Sequence, residues 1–190
     1  MRLVLASRNA HKLRELSLLL MPHEIVLLPA EVELPPETGS TFAENAMLKA
    51  RAAAERTGTT AIADDSGIEV AALGGAPGVH SARYAGDDAT DADNLEKLLS
   101  EAPDGTALRY VCALAIVDPV RGEERVFEGR CSGTLTAEPR GEGGFGYDPA
   151  FVPDDDHTDR TMAELSHAEK DAISHRGRAT RELLAWLAAR

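Results

Sequence analysis

Residues 2–28, RLVLASRNAHKLRELSLLLMPHEIVLL, carry the pattern that decides the fold. Arg2–Ala6 is a short apolar run of β character, followed at once by the polar turn Ser7-Arg8-Asn9-Ala10. From His11 the residues Leu13, Leu16 and Leu20 recur at helical spacing, and Glu24–Leu28 reads as a second strand. Strand, loop, helix, strand is the opening of an α/β architecture.

The rest of the chain extends that reading. Leu34–Gly39 is a Pro/Gly-bounded loop, and Thr41-x-x-Glu44 fits a capping box that opens a helix with an alanine-rich stripe, closed by Gly58. Thr60–Ala63 is predicted as a third strand ending in an acidic turn, Asp64-Asp65-Ser66-Gly67, with Ile68–Leu73 continuing as strand or turn. Gly74–Gly78 must be a loop. A helix is expected over Asp91–Ser100 with Leu95, Leu98 and Leu99 inward, then a hairpin of Tyr110–Val117 and Arg125–Cys131. Gly141–Pro149 is a second glycine-rich loop, and two helices follow Ser166 and Ser174. Early βαβ units with a later hairpin imply an α/β fold with a mixed sheet and flanking helices, in one domain over residues 1–190.

Composition narrows the function. Twenty Lys and Arg against 32 Asp and Glu give a net charge of −12. Such a surface repels a phosphate backbone, which argues against a nucleic-acid polymer as partner and requires local cations or a metal for any phosphorylated ligand. No apolar stretch approaches the roughly 20 residues that span a bilayer. The N-terminus lacks a signal-peptide pattern, so no membrane partner and a cytoplasmic location are expected. Cys112 and Cys131 show no metal or redox spacing and read as buried free thiols.

Several segments carry chemistry. The paired carboxylates of Asp64-Asp65-Ser66-Gly67 suit a hard cation such as Mg²⁺, and one of them can deprotonate a metal-polarised water; a solvated turn is the plain alternative. Ser7-x-Asn9-x-x-Lys12 lies between strand and helix, where backbone N–H groups favour anions, although capping with an exposed lysine explains it as well. Glu37 in its loop is a second candidate metal ligand or a surface glutamate, and Lys49 reads as a helix-surface partner of Glu44 or Asn45. Gly143–Pro149 combines backbone freedom with Phe145 and Tyr147, which offer faces to stack on a base or pack in a turn. Lys170 and Ser174-His175-Arg176 place cations at a helix start, mildly against the helix dipole, as a ligand site or an ion pair would require. Ser66 has no evident base partner, so no covalent intermediate is expected.

Together these segments resemble the inosine triphosphate pyrophosphatase family, the XTP/dITP diphosphatases that remove non-standard purine nucleotides. The resemblance runs nearly end to end through SRNAHK at 7–12, TFAENAMLKA at 41–50, ADDSG at 63–67 and LGGAPGVHSARYAG at 73–86. It continues through GGFGYDPAF at 143–151, TMAEL at 161–165 and AEKDAISHRGRA at 168–179. It implies an elongated mixed sheet with flanking helices, two lobes around a central active-site cleft, and a homodimer. It also implies hydrolysis of ITP, dITP or XTP to the monophosphate and pyrophosphate, with one Mg²⁺ per subunit that Mn²⁺ can replace. By resemblance, Asp65 is general base and metal ligand and Glu37 the other metal carboxylate. Ser7, Arg8, Asn9, Ala10, His11, Lys12 and Ser66 hold the triphosphate. Phe145, Gly146, Tyr147 and Asp148 receive the nucleoside, while Lys170, His175 and Arg176 complete base and phosphate binding. Many relatives carry Thr-Gly or Thr-Ser where this chain has Ser7-Arg8, so Arg8 adds a positive charge there. The rival readings are a pyrophosphatase of pyrimidine or other modified nucleotides and a nucleotide-binding module without turnover.

Overall fold

A computed structural model describes all residues, 1–190. The chain is mixed α/β, with one six-stranded sheet in the order β2-β1-β3-β4-β5-β6. The strands are β1 (Arg2–Leu5), β2 (Glu24–Leu27), β3 (Ala61–Val70), β4 (Ala107–Asp118), β5 (Glu123–Leu135) and β6 (Phe151–Pro153). Strand β1 runs parallel to β2, with Arg2 opposite Glu24, and parallel to β3, with Val4 opposite Ala61. Strand β6 closes the other edge antiparallel to β5. The helices are α1 (Ala10–Leu19), α2 (Phe42–Thr57), α3 (Asp91–Glu101), α4 (His167–Ile173) and α5 (His175–Ala188).

Local chemistry sets the element ends. Thr41 and Glu44 cap α2 reciprocally, each side chain taking the other's backbone N–H, and Gly58 ends it at φ 62°, a left-handed conformation that favours glycine. Asn9 caps α1 by accepting from the backbone N–H groups of His11 and Lys12. The predicted helix over 91–100 and the strand pair around Asp118–Gly122 are present, with Asp118 turning the chain by accepting from Val120 N and Arg121 N.

The acidic segment departs from its prediction. Asp64-Asp65-Ser66-Gly67 is no turn; β3 runs straight through it for ten residues, with both aspartates buried. A solvated loop is the usual home for such a sequence, but buried cations drawn from distant parts of the chain supply here what water would otherwise supply. The strand continues to Val70, and Ala71–Leu73 is a single 3-10 turn.

Two compact units make up the chain. The first comprises Met1–Asp65, Cys112–Gly129 and Arg176–Arg190. Its core joins Leu3, Leu5, Ile62, Cys112, Leu114 and Ile116 of the sheet to Leu16 and Leu20 from the α1 region and to Ala179 and Leu183 of α5. The second comprises Ser66–Val111 and Arg130–His175, around Ile68, Val70, Leu98, Leu108, Tyr110, Phe151 and Met162. Leu98 is fully buried in that core, and Leu95 and Leu99 pack against it, as their helical spacing predicts.

Candidate active site

In the first unit two ionic networks grow from adjacent residues of β3. Successive side chains of a strand leave on opposite faces, and the two aspartates take different nearest partners, although the Lys12 and Lys49 charges act on both.

Asp64 is fully buried and anchors the first network. It pairs with Lys12 of α1 and with Arg176 at the start of α5, whose Nε lies 3.1 Å from Oδ2. The Cys112 thiol donates to the same oxygen at 3.0 Å. Arg176, only 1% exposed, also pairs with Glu15 at 2.6 Å. Burial works against the Asp64 charge, but Arg176 and Lys12 prevail and hold its carboxyl well below the usual range. Burial, reinforced by the Asp64 charge, pushes the Cys112 thiol well up, which keeps it protonated as a donor. Burial also opposes the Arg176 charge, yet Asp64 leads the anions that raise its pKa and keep it a cation.

The second network belongs to Asp65. Lys49 of α2 reaches inward, 3.0 Å from Asp65 Oδ1 and 2.6 Å from Glu37 Oε1. This overturns its reading as a helix-surface lysine paired with Glu44 or Asn45: Glu44 is engaged by Ser40 and Thr41, and Asn45 by Gly39. Burial pushes the Asp65 carboxyl up, Lys49 pulls it down and Glu37 raises it again, leaving it above the ordinary aspartate range. Asp65 Oδ2 is buried with no hydrogen-bond partner. A buried carboxylate oxygen left unmatched is costly, and it fits a group supplied from outside the protein. With Glu37 alongside, the oxygen donor set suits a hard divalent cation.

The first-loop residues are placed as follows. Ser7 Oγ accepts from Asn9 N, and the Asn9 carboxamide caps α1, so capping and ligand readings share the same atoms. Ala10 and His11 are exposed at that helix start. Lys12 is not an exposed lysine, since its ammonium meets Asp64. The Arg8 guanidinium is taken up by backbone carbonyls of residues 28–32.

In the second unit Asp148 is the organising group. Its carboxylate, 2% exposed, accepts from Tyr110 Oη at 3.0 Å, Phe145 N at 2.9 Å and Lys170 Nζ at 2.7 Å. Gly144 is required here, because a Cβ would stand 2.0 Å from Asp148 Oδ2 and its φ is +73°. The Lys170 ammonium lies 5.1 Å from the centre of the Phe145 ring. The Tyr110 ring is stacked on both Phe151 and His175, at 4.5 and 4.6 Å. Tyr147 is buried and its hydroxyl donates to Ser81 O, so of the two loop aromatics only Phe145 keeps a partly open face. Gly146 N donates to Asp91. Ser66 is half-buried at the start of this unit's share of β3.

Sequence reasoning missed the roles of Tyr110 and Glu15 and the inward course of Lys49, while Cys112 is the buried free thiol its spacing suggests. Helical spacing already placed Glu15 with Lys12 and His11 on the first helix, but the partner that gives it meaning lies 161 residues away.

The sequence pattern of the Ham1 family matches residues 3–186. The chain belongs to the Ham1 family. A relative from Frankia alni named dITP/XTP pyrophosphatase is 50% identical, over 98% of this chain and 97% of its own. Among solved structures, a HAM1 protein from Coxiella burnetii superposes with a TM-score of 0.88 at 42% identity, with all of both chains covered. A Mycobacterium abscessus structure described as nucleoside-triphosphatase / dITP/XTP pyrophosphatase gives 0.75 at 48% identity, covering 97% of this chain and 99% of that one. The family resemblance carried by the sequence motifs is thus confirmed, and so is the mixed α/β fold of this Ham1-family chain.

Proposed function

We infer that the chain is an enzyme, a nucleoside-triphosphate pyrophosphatase that hydrolyses non-standard purine nucleotides (ITP, dITP, XTP) to monophosphate and pyrophosphate, removing them from the nucleotide pool. Near-half identity over nearly the whole length to relatives named for this activity supports the reaction. The single observation that carries the site assignment is the buried, unmatched Oδ2 of Asp65 beside Glu37 and Lys49.

Asp65 and Glu37 hold Mg²⁺, one per subunit, with Mn²⁺ as a substitute; when bound it neutralises phosphate charge and lowers the pKa of water. Asp65 acts as general base. It accepts a proton from water as the water oxygen bonds to the α-phosphorus, and the α–β bridging oxygen departs with pyrophosphate. Lys49 holds Asp65 Oδ1 and so orients the carboxylate. Lys12, the N–H groups around Ser7–His11 and Ser66 receive the triphosphate, with charge on the departing pyrophosphate met by Lys12. Arg176 serves this reading by holding Asp64, which in turn places Lys12.

In the second unit Phe145, with Gly146, Tyr147 and Asp148 shaping its loop, receives the nucleoside. Lys170 and His175 complete the pocket. A 6-oxo purine presents an acceptor where adenine has an amino donor, so a donor such as the Lys170 ammonium favours hypoxanthine and xanthine. A buried donor left facing an amino group can discriminate by roughly 10⁴-fold. The working form is a cytoplasmic homodimer of single-domain chains with no nucleic-acid or membrane partner. The charge of −12 supports the first exclusion, and no helix is long and apolar enough to cross a membrane.

The test is a panel of ITP, dITP, XTP, ATP, dTTP and UTP with Mg²⁺ and separate measurement of phosphate and pyrophosphate. Pyrophosphate from the first three is expected. Equal use of ATP, preference for pyrimidines, or orthophosphate alone would sink the proposal.

A further inference from the structure

The proposed metal ligand Glu37 sits in the segment between β2 and α2, residues 28–41, which has no regular secondary structure. A carboxylate on so long a loop is useful only if the loop is held, because ordering it at the moment of binding costs affinity. Both ends are held. At the exit, Asn45 Oδ1 accepts from Gly39 N at 2.7 Å, and Glu44 Oε2 accepts from Ser40 N at 2.7 Å and from Thr41 N. Asn45 is 1% exposed, and a Cβ on residue 39 would stand 2.7 Å from its oxygen, so this approach demands glycine.

At the entrance the holder is Arg8. Its Nη1 donates to Leu28 O at 3.0 Å, while Nη2 is shared among Pro29 O at 3.0 Å, Ala30 O at 3.2 Å and Val32 O at 2.8 Å. Four carbonyls within five residues saturate one edge of the guanidinium. A planar fork can do this; a single ammonium cannot.

We propose that Arg8 is a positioning residue rather than a phosphate ligand: it clamps the entrance of the Glu37 loop as Asn45 clamps the exit, so that Glu37 arrives at Lys49 and Asp65 already placed. This rests on Glu37 being a metal carboxylate, and two measurements separate the ideas. The first is hydrogen exchange of residues 28–41 in the metal-free protein. Arg8→Lys, Arg8→Ala and Asn45→Ala should each speed it, with exchange in α5 unaltered; unchanged exchange in Arg8→Ala overturns the clamp.

The second is the half-saturating concentration of Mg²⁺ for turnover, checked by direct Mn²⁺ titration. Supporting groups around metal ligands are worth about 10–100-fold in affinity, so a rise of about tenfold is expected for Arg8→Ala and Arg8→Lys alike. A phosphate contact would instead raise the nucleotide KM in Arg8→Ala and be rescued by Arg8→Lys, which overturns the proposal. Glu37→Gln is the control. If it leaves metal binding unchanged while Arg8→Ala still speeds exchange, the clamp stands and the metal role of Glu37 falls.

Discussion

Replacing Asp148 by Asn tests the second unit most directly. Asp148 and Lys170 are 2% and 5% exposed, and their charged groups meet at 2.7 Å. Lys170 Nζ and Phe145 N both donate to Oδ2 and Tyr110 Oη to Oδ1, so an amide of the same size can keep its oxygen on the first two and turn its NH₂ to the Tyr110 hydroxyl, which can accept; what it loses is the charge. Breaking a buried pair by neutralising one partner costs about 3–5 kcal/mol. The Phe145 ring already lies 5.1 Å from the ammonium in the parent, so it offsets none of this, and the lower end of the range is expected. A loss of about 3 kcal/mol follows, and at this chain length each kcal/mol lowers Tm by about 2–4 °C, so the drop should be about 6–12 °C. Calorimetry at pH 7 without nucleotide reads it independently of substrate binding. Adding Lys170→Met removes the stranded charge, so the double variant should be more stable than the two single losses combined would allow, by more than about 1 kcal/mol. An Asp148→Asn protein melting within about 2 °C of the parent, or strict additivity in the double variant, would refute the reasoning.

Further outcomes follow from the same geometry. Asp65→Asn should lower kcat by at least about 10²-fold while the far-UV circular dichroism spectrum is retained; full activity would move the general base elsewhere. Stripping divalent cations with EDTA should abolish turnover, and excess Mg²⁺ or Mn²⁺ should restore it; persistent turnover after exhaustive chelation would rule out the metal reading. Glu169 caps α4 through Ser166 and pairs with Arg160, and these contacts lower its pKa from 4.5 to about 2. Because the folded value is the lower one, this contribution is complete above about pH 4.5 and lost as pH falls toward 2. The Tm difference between the parent and Glu169→Gln should therefore be present at pH 7, shrink steadily below about pH 4.5 and vanish only below about pH 2; a constant difference would show that the carboxylate charge is not what stabilises the cap.

The sequence by itself was enough for whatever depends on near neighbours. The 3.6-residue spacing of Leu13, Leu16 and Leu20, the Thr41–Glu44 capping box and the left-handed stop at Gly58 are local chemistry, and each appears where the pattern put it. The motif order also sufficed to place the chain in its family. Tertiary structure decided the charges. Nothing in DDSG says strand rather than turn until Lys12, Lys49 and Arg176 are known to meet its carboxylates from three other elements. Nor can spacing show that Asp64 and Asp65 serve different networks, because that division comes from the pleat of a strand the local sequence does not announce. Coulomb attraction acts on distance in space, and residues 64 and 176 become neighbours only once the hydrophobic cores have folded the chain back on itself.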